Sequence, residues 1–308
     1  VNDINLSQNI FGLEFKNPVM AASGTFGNGG EFSEFYDVAR LGGFVTKAVT
    51  PEPRTGNPPP RIIETPSGML NSIGLQNEGL DSFISKVIPR ISGLDTVVMV
   101  NVAGSTVNDY RTVCARLDSF CEISAYEINI SCPNVKKGGI AFGSFPESAF
   151  DLIKELRKET QKPLIVKLSP AVTDITEIAR AVESAGADGV SLINTIPGMA
   201  INVDTRRPML ANVTGGLSGP AIRPVAVRMV YQTAKSVSIP VIGMGGIFSA
   251  RDALEFIIAG ASLVQTGCGM FVKPGLPLEV IAGIREYLIR YGYHSLNEIT
   301  GSLRIMED

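Results

Sequence analysis

Histidine is almost missing from this sequence: 308 residues contain one, His294, near the end of the chain and far from any strand-like run. Imidazole-based acid–base chemistry, a histidine-ligated metal centre and a serine–histidine triad are therefore not expected. Cysteine is sparse as well. The four residues at 114, 121, 132 and 268 form no CxxC pair and no compact disulfide pattern, and their scatter does not suit the ligands of an iron–sulfur cluster. Such usage fits a reducing compartment, so a cytoplasmic location is expected. No apolar run approaches the roughly 18 residues that a spanning helix needs. The opening VNDINLSQNI has neither the basic start nor the apolar block of a signal peptide. A formal charge of -3 gives no whole-chain drive toward nucleic acid or an anionic membrane. A G-x-G-x-x-G dinucleotide fingerprint is missing too, because GTFGNGG and GMGGIF have the wrong spacing.

What the chain does contain is a 44% hydrophobic share, enough for a large core, and a repeating pattern with no Ser/Gly linker, charge block or low-complexity tract to divide it. One domain over 1–308 is expected. After a hairpin over Ile4–Phe15, turning near Gly12, short apolar runs alternate with stretches of helical spacing. The strand expectations are Pro18–Ala22, Gly43–Lys47, Thr96–Asn101, Tyr126–Ile130, Leu164–Leu168, Gly189–Ile193, Pro240–Gly243 and Ser262–Gln265. Helices are expected at about 31–40, 77–91, 106–119, 146–160, 173–185, 220–236, 249–259 and 276–291, with Thr173 and Ser249 as caps and Gly186 and Gly260 near helix ends. Eight such units predict an α/β fold, a (β/α)8 TIM barrel with insertions at the C-terminal face of the strands. Periodicity does not show closure, so an open doubly wound sheet is the alternative. The stretches 48–76 and 194–219 read as long irregular insertions, the kind of loop that carries function.

In such a barrel, residues at the strands' C-terminal ends converge on one face. Here they are Ser23, Lys47, Asn101, Asn129, Lys167, Asn194, the Gly245–Gly246 pair and Gly267. A lysine at a strand end is ordinarily a solvated rim charge, and an asparagine ordinarily a turn cap. Lys47 and Lys167, however, follow the apolar runs GFVT and LIV. A cation in such company needs an anionic group or an electron-rich ring beside it. The asparagines add donors and acceptors suited to a flat heterocycle with carbonyl and N–H edges. PVIGMGGIFSARDAL and LVQTGCGMF place glycines between the last two strands and the segments after them, where backbone N–H groups can approach a phosphate; ordinary tight turns are the plainer reading.

Read in order, NPVMAASGTFG, FVTKAVT, NSIGLQNEG, EINISCPNVKKGG, IVKLSP, LINT, IGMGGI and VQTGCG resemble the class 1 dihydroorotate dehydrogenases over nearly the whole chain. SCPNVKKGG is the most specific segment, and it points to the catalytic chains of the NAD-linked, two-subunit type 1B. The resemblance implies an FMN-dependent oxidation of dihydroorotate to orotate in pyrimidine biosynthesis. FMN would contact Ser23, Lys47, Ala48, Asn101, Asn129, Lys167, Ile193, Gly219, Gly245, Gly246, Gly267 and Cys268. The substrate would be held by Lys47, by Asn71, Ser72, Ile73, Gly74 and Leu75, and by Asn129, Asn194 and Thr195. Cys132 would take the C5 proton, with Lys136 or Lys137 as neighbouring cations, while Lys167 would offset negative charge on the reduced ring. Cys268 departs from the family pattern, which has threonine there; a backbone phosphate contact survives that change and a hydroxyl contact does not. The resemblance further implies a homodimer core within a heterotetramer, whose second subunit carries FAD and [2Fe–2S]. A fumarate-linked class 1A enzyme, a flavin-dependent pyrimidine reductase and a flavin electron relay without substrate chemistry are the competing readings.

Overall fold

The structure, a computed structural model, describes residues 4–131 and 142–305. Eight parallel strands close into a barrel in chain order: strand 1 Val19–Ala21, strand 2 Gly43–Val45, strand 3 Val97–Val102, strand 4 Ala125–Asn129, strand 5 Leu164–Lys167, strand 6 Gly189–Leu192, strand 7 Val241–Met244 and strand 8 Leu263–Thr266. Closure rests on the pairing of strand 8 with strand 1, where Val264, Gln265 and Thr266 face Val19, Met20 and Ala21. The (β/α)8 barrel is therefore the fold, and the open sheet is set aside.

Burial on both sides of these strands explains why they read as continuous apolar runs. The side chains nevertheless alternate. Val98, Val100, Tyr126, Ile128, Leu164, Val166, Val190 and Val264 join the large cluster beneath the helices. Met20, Val45, Val97, Met99, Ala125, Ile165, Ile242 and Leu263 form a second cluster inside the barrel, closed by Ile10, Phe11, Leu13 and Phe15 of the N-terminal hairpin. That hairpin pairs Gln8–Ile10 with Leu13–Phe15 and turns where Phe11 and Gly12 take positive φ. The floor of the barrel is thus dry and apolar. The same inward positions one step higher carry Asn101, Glu127, Lys167, Ser191 and Gln265, all buried.

Two expected elements differ in the structure. The helix at 31–40 is a set of turns ending in one 3-10 turn, Val38–Arg40, capped by Asp37. Its aromatic residues are recruited to a local cluster instead, with Phe26 stacked on Phe32 at 4.9 Å and packed against Phe44 at 5.3 Å. The insertions 48–76 and 194–219 are not wholly irregular: together they build a four-stranded antiparallel sheet ordered Ile196–Met199, Thr214–Ser218, Gly68–Asn71, Ile62–Thr65. Half-exposed strands contributed by segments over a hundred residues apart give no strong local signal.

The later helices follow expectation closely. Thr106 and Ser249 cap Val107–Leu117 and Ala250–Ala259, and Gly260 ends the latter with φ 120°. Asp174, rather than Thr173, caps Ile175–Ser184. The stretch at 77–91 is helical from Gly79 to Ile91 but widens to a π turn over Phe83–Val87. Among the described residues no helix is long and apolar enough to cross a membrane.

Candidate active site

The strand ends converge as expected, and the hydrogen bonds show how each side chain is fixed. Lys47 follows strand 2 and is anchored by its own N–H, which donates to the Gly27 carbonyl at 2.8 Å. Ala48 beside it is buried. The Lys47 ammonium forms no ion pair and no hydrogen bond with any described residue. Lys167 is in the opposite condition. It is 6% exposed and its Nζ lies 3.4 Å from Glu127 Oε2, at a residue that is 0% exposed. One cation of the mouth is therefore paired from below, and the other has no charged or hydrogen-bonding partner among the described residues.

Asparagines link the strands between these lysines. Asn129 Nδ2 donates to Asn101 Oδ1 at 3.4 Å, Asn129 Oδ1 accepts from the Ser131 N–H at 3.2 Å, and Tyr110 donates its hydroxyl to the Asn129 carbonyl at 2.8 Å. Ser131 in turn donates its hydroxyl to the Lys167 carbonyl at 2.9 Å. The chain entering the SCPN segment is thereby tied to strands 4 and 5. Cys132, Lys136 and Lys137 lie outside the described residues.

The inter-insertion sheet brings together what the sequence keeps apart. Gly216 pairs with Asn71 across two strands, and Asn71 Nδ2 donates to the Gly216 carbonyl at 3.3 Å. A Cβ on Gly216 would stand 1.9 Å from Thr195 Oγ1, so only glycine lets Thr195 approach this strand. Asn194 accepts from the Thr195 N–H at 2.7 Å and donates its own N–H to the Leu168 carbonyl at 3.2 Å. The segment from Asn71 through Ser72, Ile73, Gly74 and Leu75 is braced by Asn57. Its amide donates to the Ser72 hydroxyl at 2.9 Å, and its N–H donates to the Ile73 carbonyl at 3.0 Å.

The last two strand ends supply the anion-binding features. Gly245 and Gly246 have φ 127° and 76°, and Gly219 has φ 108°. A Cβ on Gly246 would meet the Gly219 carbonyl at 2.7 Å, so the two loops pack backbone against backbone. The N–H groups of Gly245, Gly246 and Gly267 have no hydrogen-bond acceptor among the described residues. Asp252 steadies this loop by accepting from the Phe248 N–H at 2.9 Å while pairing with Arg223. Ile193, on the neighbouring strand end, donates its N–H to the Met244 carbonyl at 3.0 Å. Ser23 sits half-exposed in the turn after strand 1.

Cys268 is buried beside the Ser218 side chain, whose influence favours the thiolate. Burial pushes its thiol above the usual range, against the opposing pull of Ser218 and of nearby N–H groups, so it remains a neutral thiol near neutrality. These features fit FMN. Free glycine N–H groups suit its phosphate, and the asparagine amides and Lys167 suit its ring.

Four site residues were missed by looking only at strand ends: Glu127, Ser191, Gln265 and Ser131. For Glu127, Ser191 and Gln265 the signal was present as polar residues inside the otherwise apolar runs AYEIN, GVSL and LVQT. Counting back in twos from each strand end places them on the barrel's inner face.

Comparison with known proteins gives the family of the chain. The dihydroorotate dehydrogenase family model matches residues 5–288. A relative from Thermoanaerobacter sp. (strain X514), named dihydroorotate dehydrogenase B (NAD(+)), catalytic subunit, is 55% identical over 98% of this chain and 100% of its own length. Proteins of the same name from Bacteroides thetaiotaomicron and Trichlorobacter lovleyi are each 54% identical, over 98% and 97% of this chain and 99% and 98% of theirs. With the barrel closed, the lysines and asparagines gathered at its mouth and the match running from the N-terminal hairpin into the last long helix, the chain belongs to the dihydroorotate dehydrogenase family.

Proposed function

We propose that this chain oxidises dihydroorotate to orotate in pyrimidine biosynthesis and passes the electrons to a second, electron-transfer subunit, with NAD as the final acceptor. The observation that carries the reading is the unlike condition of the two mouth lysines. Lys167 is paired with Glu127 from below, so of the two described lysines Lys47 is the one free to meet an anionic substrate. Its charge would pair with the orotate carboxylate, while Asn71, Asn129, Asn194 and Thr195 offer amide and hydroxyl partners to the ring's carbonyl and N–H edges. Bound FMN would accept the two electrons that leave with the C6 hydride.

The chain's own residues do the rest. Cys132 takes the C5 proton, and Lys167 offsets the charge that builds on the cofactor side. The glycine N–H groups after strands 7 and 8 hold the phosphate, and Ser23, Ala48, Ile193 and Cys268 border the cofactor. Electron exit follows from the missing dinucleotide fingerprint and from the name shared by the relatives, each a catalytic subunit. The second subunit is proposed to carry FAD and [2Fe–2S], joined to a homodimer of this chain in a cytoplasmic heterotetramer that involves neither nucleic acid nor membrane.

Anaerobic addition of dihydroorotate should bleach the flavin of the purified chain, which should then reduce artificial dyes but form almost no NADH until the partner is added. Robust NADH formation by this chain alone would refute the two-subunit reading. Efficient turnover with fumarate would move it to the class 1A branch, bleaching by reduced pyrimidine bases would favour the reductase, and no bleaching at all would leave only the relay.

Lys47→Ala tests the carboxylate contact. With a charge-assisted hydrogen bond worth roughly 1.5–3 kcal/mol, orotate affinity should fall on the order of 10- to 100-fold while flavin stays bound. An orotate titration of the flavin spectrum unchanged from the parent would contradict the assignment.

A further inference from the structure

Glu127 is 0% exposed, the most deeply buried charged side chain among the described residues. Its carboxylate is fully engaged. Oε2 accepts from Asn101 Nδ2 at 2.7 Å and faces Lys167 Nζ at 3.4 Å, while Oε1 accepts from Ser191 Oγ at 2.9 Å and Gln265 Nε2 at 3.2 Å. The four donors come from strands 3, 5, 6 and 8. A carboxylate has about four acceptor positions, so none is left over. It lies two residues before Asn129, about 6–7 Å below it along strand 4.

We propose that Glu127 is the positioning residue of this site, and that its charge tempers the field which Lys167 presents to a bound flavin. The inference rests on the FMN reading above. Two observations carry it. First, donor–acceptor logic propagates upward. Because Glu127 takes the Asn101 amide N–H, Asn101 must present Oδ1 to Asn129 Nδ2; Asn129 must then present Oδ1 to the Ser131 N–H. One buried acceptor thus sets the rotation of both asparagines and the exit of the chain toward Cys132. Second, a solitary lysine in a dry barrel would give the flavin site a full positive charge. Paired with Glu127, it gives a dipole whose positive end is at the mouth. A buried ion pair adds little to stability compared with apolar packing, so its use here is consistent with setting direction and potential.

Glu127→Gln separates charge from shape. Glutamine still accepts from Asn101 and Lys167, and its new N–H group meets Ser191, which can accept, and Gln265, whose Oε1 has no partner among the described residues and can turn toward it. The variant should retain FMN, and its flavin should be easier to reduce. Measured by photoreduction against a reference dye without dihydroorotate, the reduced-to-oxidised ratio at fixed potential should rise about tenfold, which is about 30 mV for a two-electron couple. Glu127→Asp keeps the charge but withdraws it from Lys167, and should shift the ratio in the same direction by less.

A flavin-loaded Glu127→Gln protein with the parent's potential would overturn the proposal. If Glu127→Gln does not fold, Glu127→Asp decides: the parent's potential there overturns the proposal, and failure of both to fold would assign Glu127 to folding alone, which also overturns it. A parent chain that retains no flavin would instead sink the function proposed above, and this inference with it.

Discussion

Cys132→Ala is expected to keep its flavin and to lose on the order of 100-fold or more in the rate at which dihydroorotate reduces it, the usual cost of removing a general base. Anaerobic stopped-flow reduction at the flavin absorption band measures this directly. The proposal draws on the SCPN segment, and the described frame supports it up to the preceding residue. Ser131 is held at both its N–H and its hydroxyl, by Asn129 and by the Lys167 carbonyl. The chain is therefore fixed at Ser131, between the asparagine pair and the lysine. The cysteines within the described residues are poor alternatives. Cys114 is wholly buried with its thiol pushed far up by desolvation, Cys268 is buried with its thiol raised, and Cys121 is exposed beside Glu122, which its thiol meets at 3.7 Å. Cys132→Ser should also be slow near neutral pH, because a hydroxyl gives up its proton far less readily than a thiol at about pKa 8.5. Thermal stability and flavin content should match the parent in both variants. A Cys132→Ala protein reduced at the parent's rate would end the assignment.

The second large effect is expected from Lys167→Ala, which should damage both cofactor binding and the fold. Removing the ammonium leaves the Glu127 carboxylate 0% exposed with only neutral donors, Asn101, Ser191 and Gln265. Breaking a buried pair from one side typically costs about 3–5 kcal/mol. The three remaining hydrogen bonds place the expectation at the lower end, about 3 kcal/mol, read as a lowered denaturation midpoint of the flavin-free protein. Flavin that does bind should be harder to reduce, because the charge gained on reduction has lost its counter-charge. The double variant Lys167→Ala/Glu127→Gln separates the two effects: stability should largely return, since no buried charge is left unpaired, while the flavin site remains defective. Parent-like stability and flavin content in the single variant would show that the pair matters to neither.

The family resemblance and the eightfold alternation of strand and helix were legible in the sequence because each rests on local information. Strands buried on both faces are continuous apolar runs, and the helices between them carry signals such as the cap at Ser249 and the stop at Gly260. Strand-end position then singled out Lys47, Asn101, Asn129 and Lys167 as convergent. Where local information was ambiguous the reading slipped. The aromatic residues at 31–40 have helix-like spacing, but the segment is a set of turns in which Phe32 stacks on Phe26, itself packed against Phe44.

By itself the sequence determined the alternation of strand and helix, the chemistry gathered at one end of the strands and the membership in a family of flavin-dependent dehydrogenases. Three things were decided only by the tertiary structure. Closure depends on strand 8 meeting strand 1 across more than two hundred residues, a contact with no local signature. The sheet joining Asn71 to the strand beside Thr195 depends on pairing between two insertions whose half-exposed strands have weak patterns alone. The state of each lysine depends on what lies beneath it: Glu127 reaches Lys167 because strands 4 and 5 are neighbours in register, with Asn129 facing Lys167, whereas no carboxylate among the described residues reaches Lys47. Charge pairing in a buried site is set by distances of a few ångströms between strands far apart in the chain, and those distances exist only once the barrel has closed.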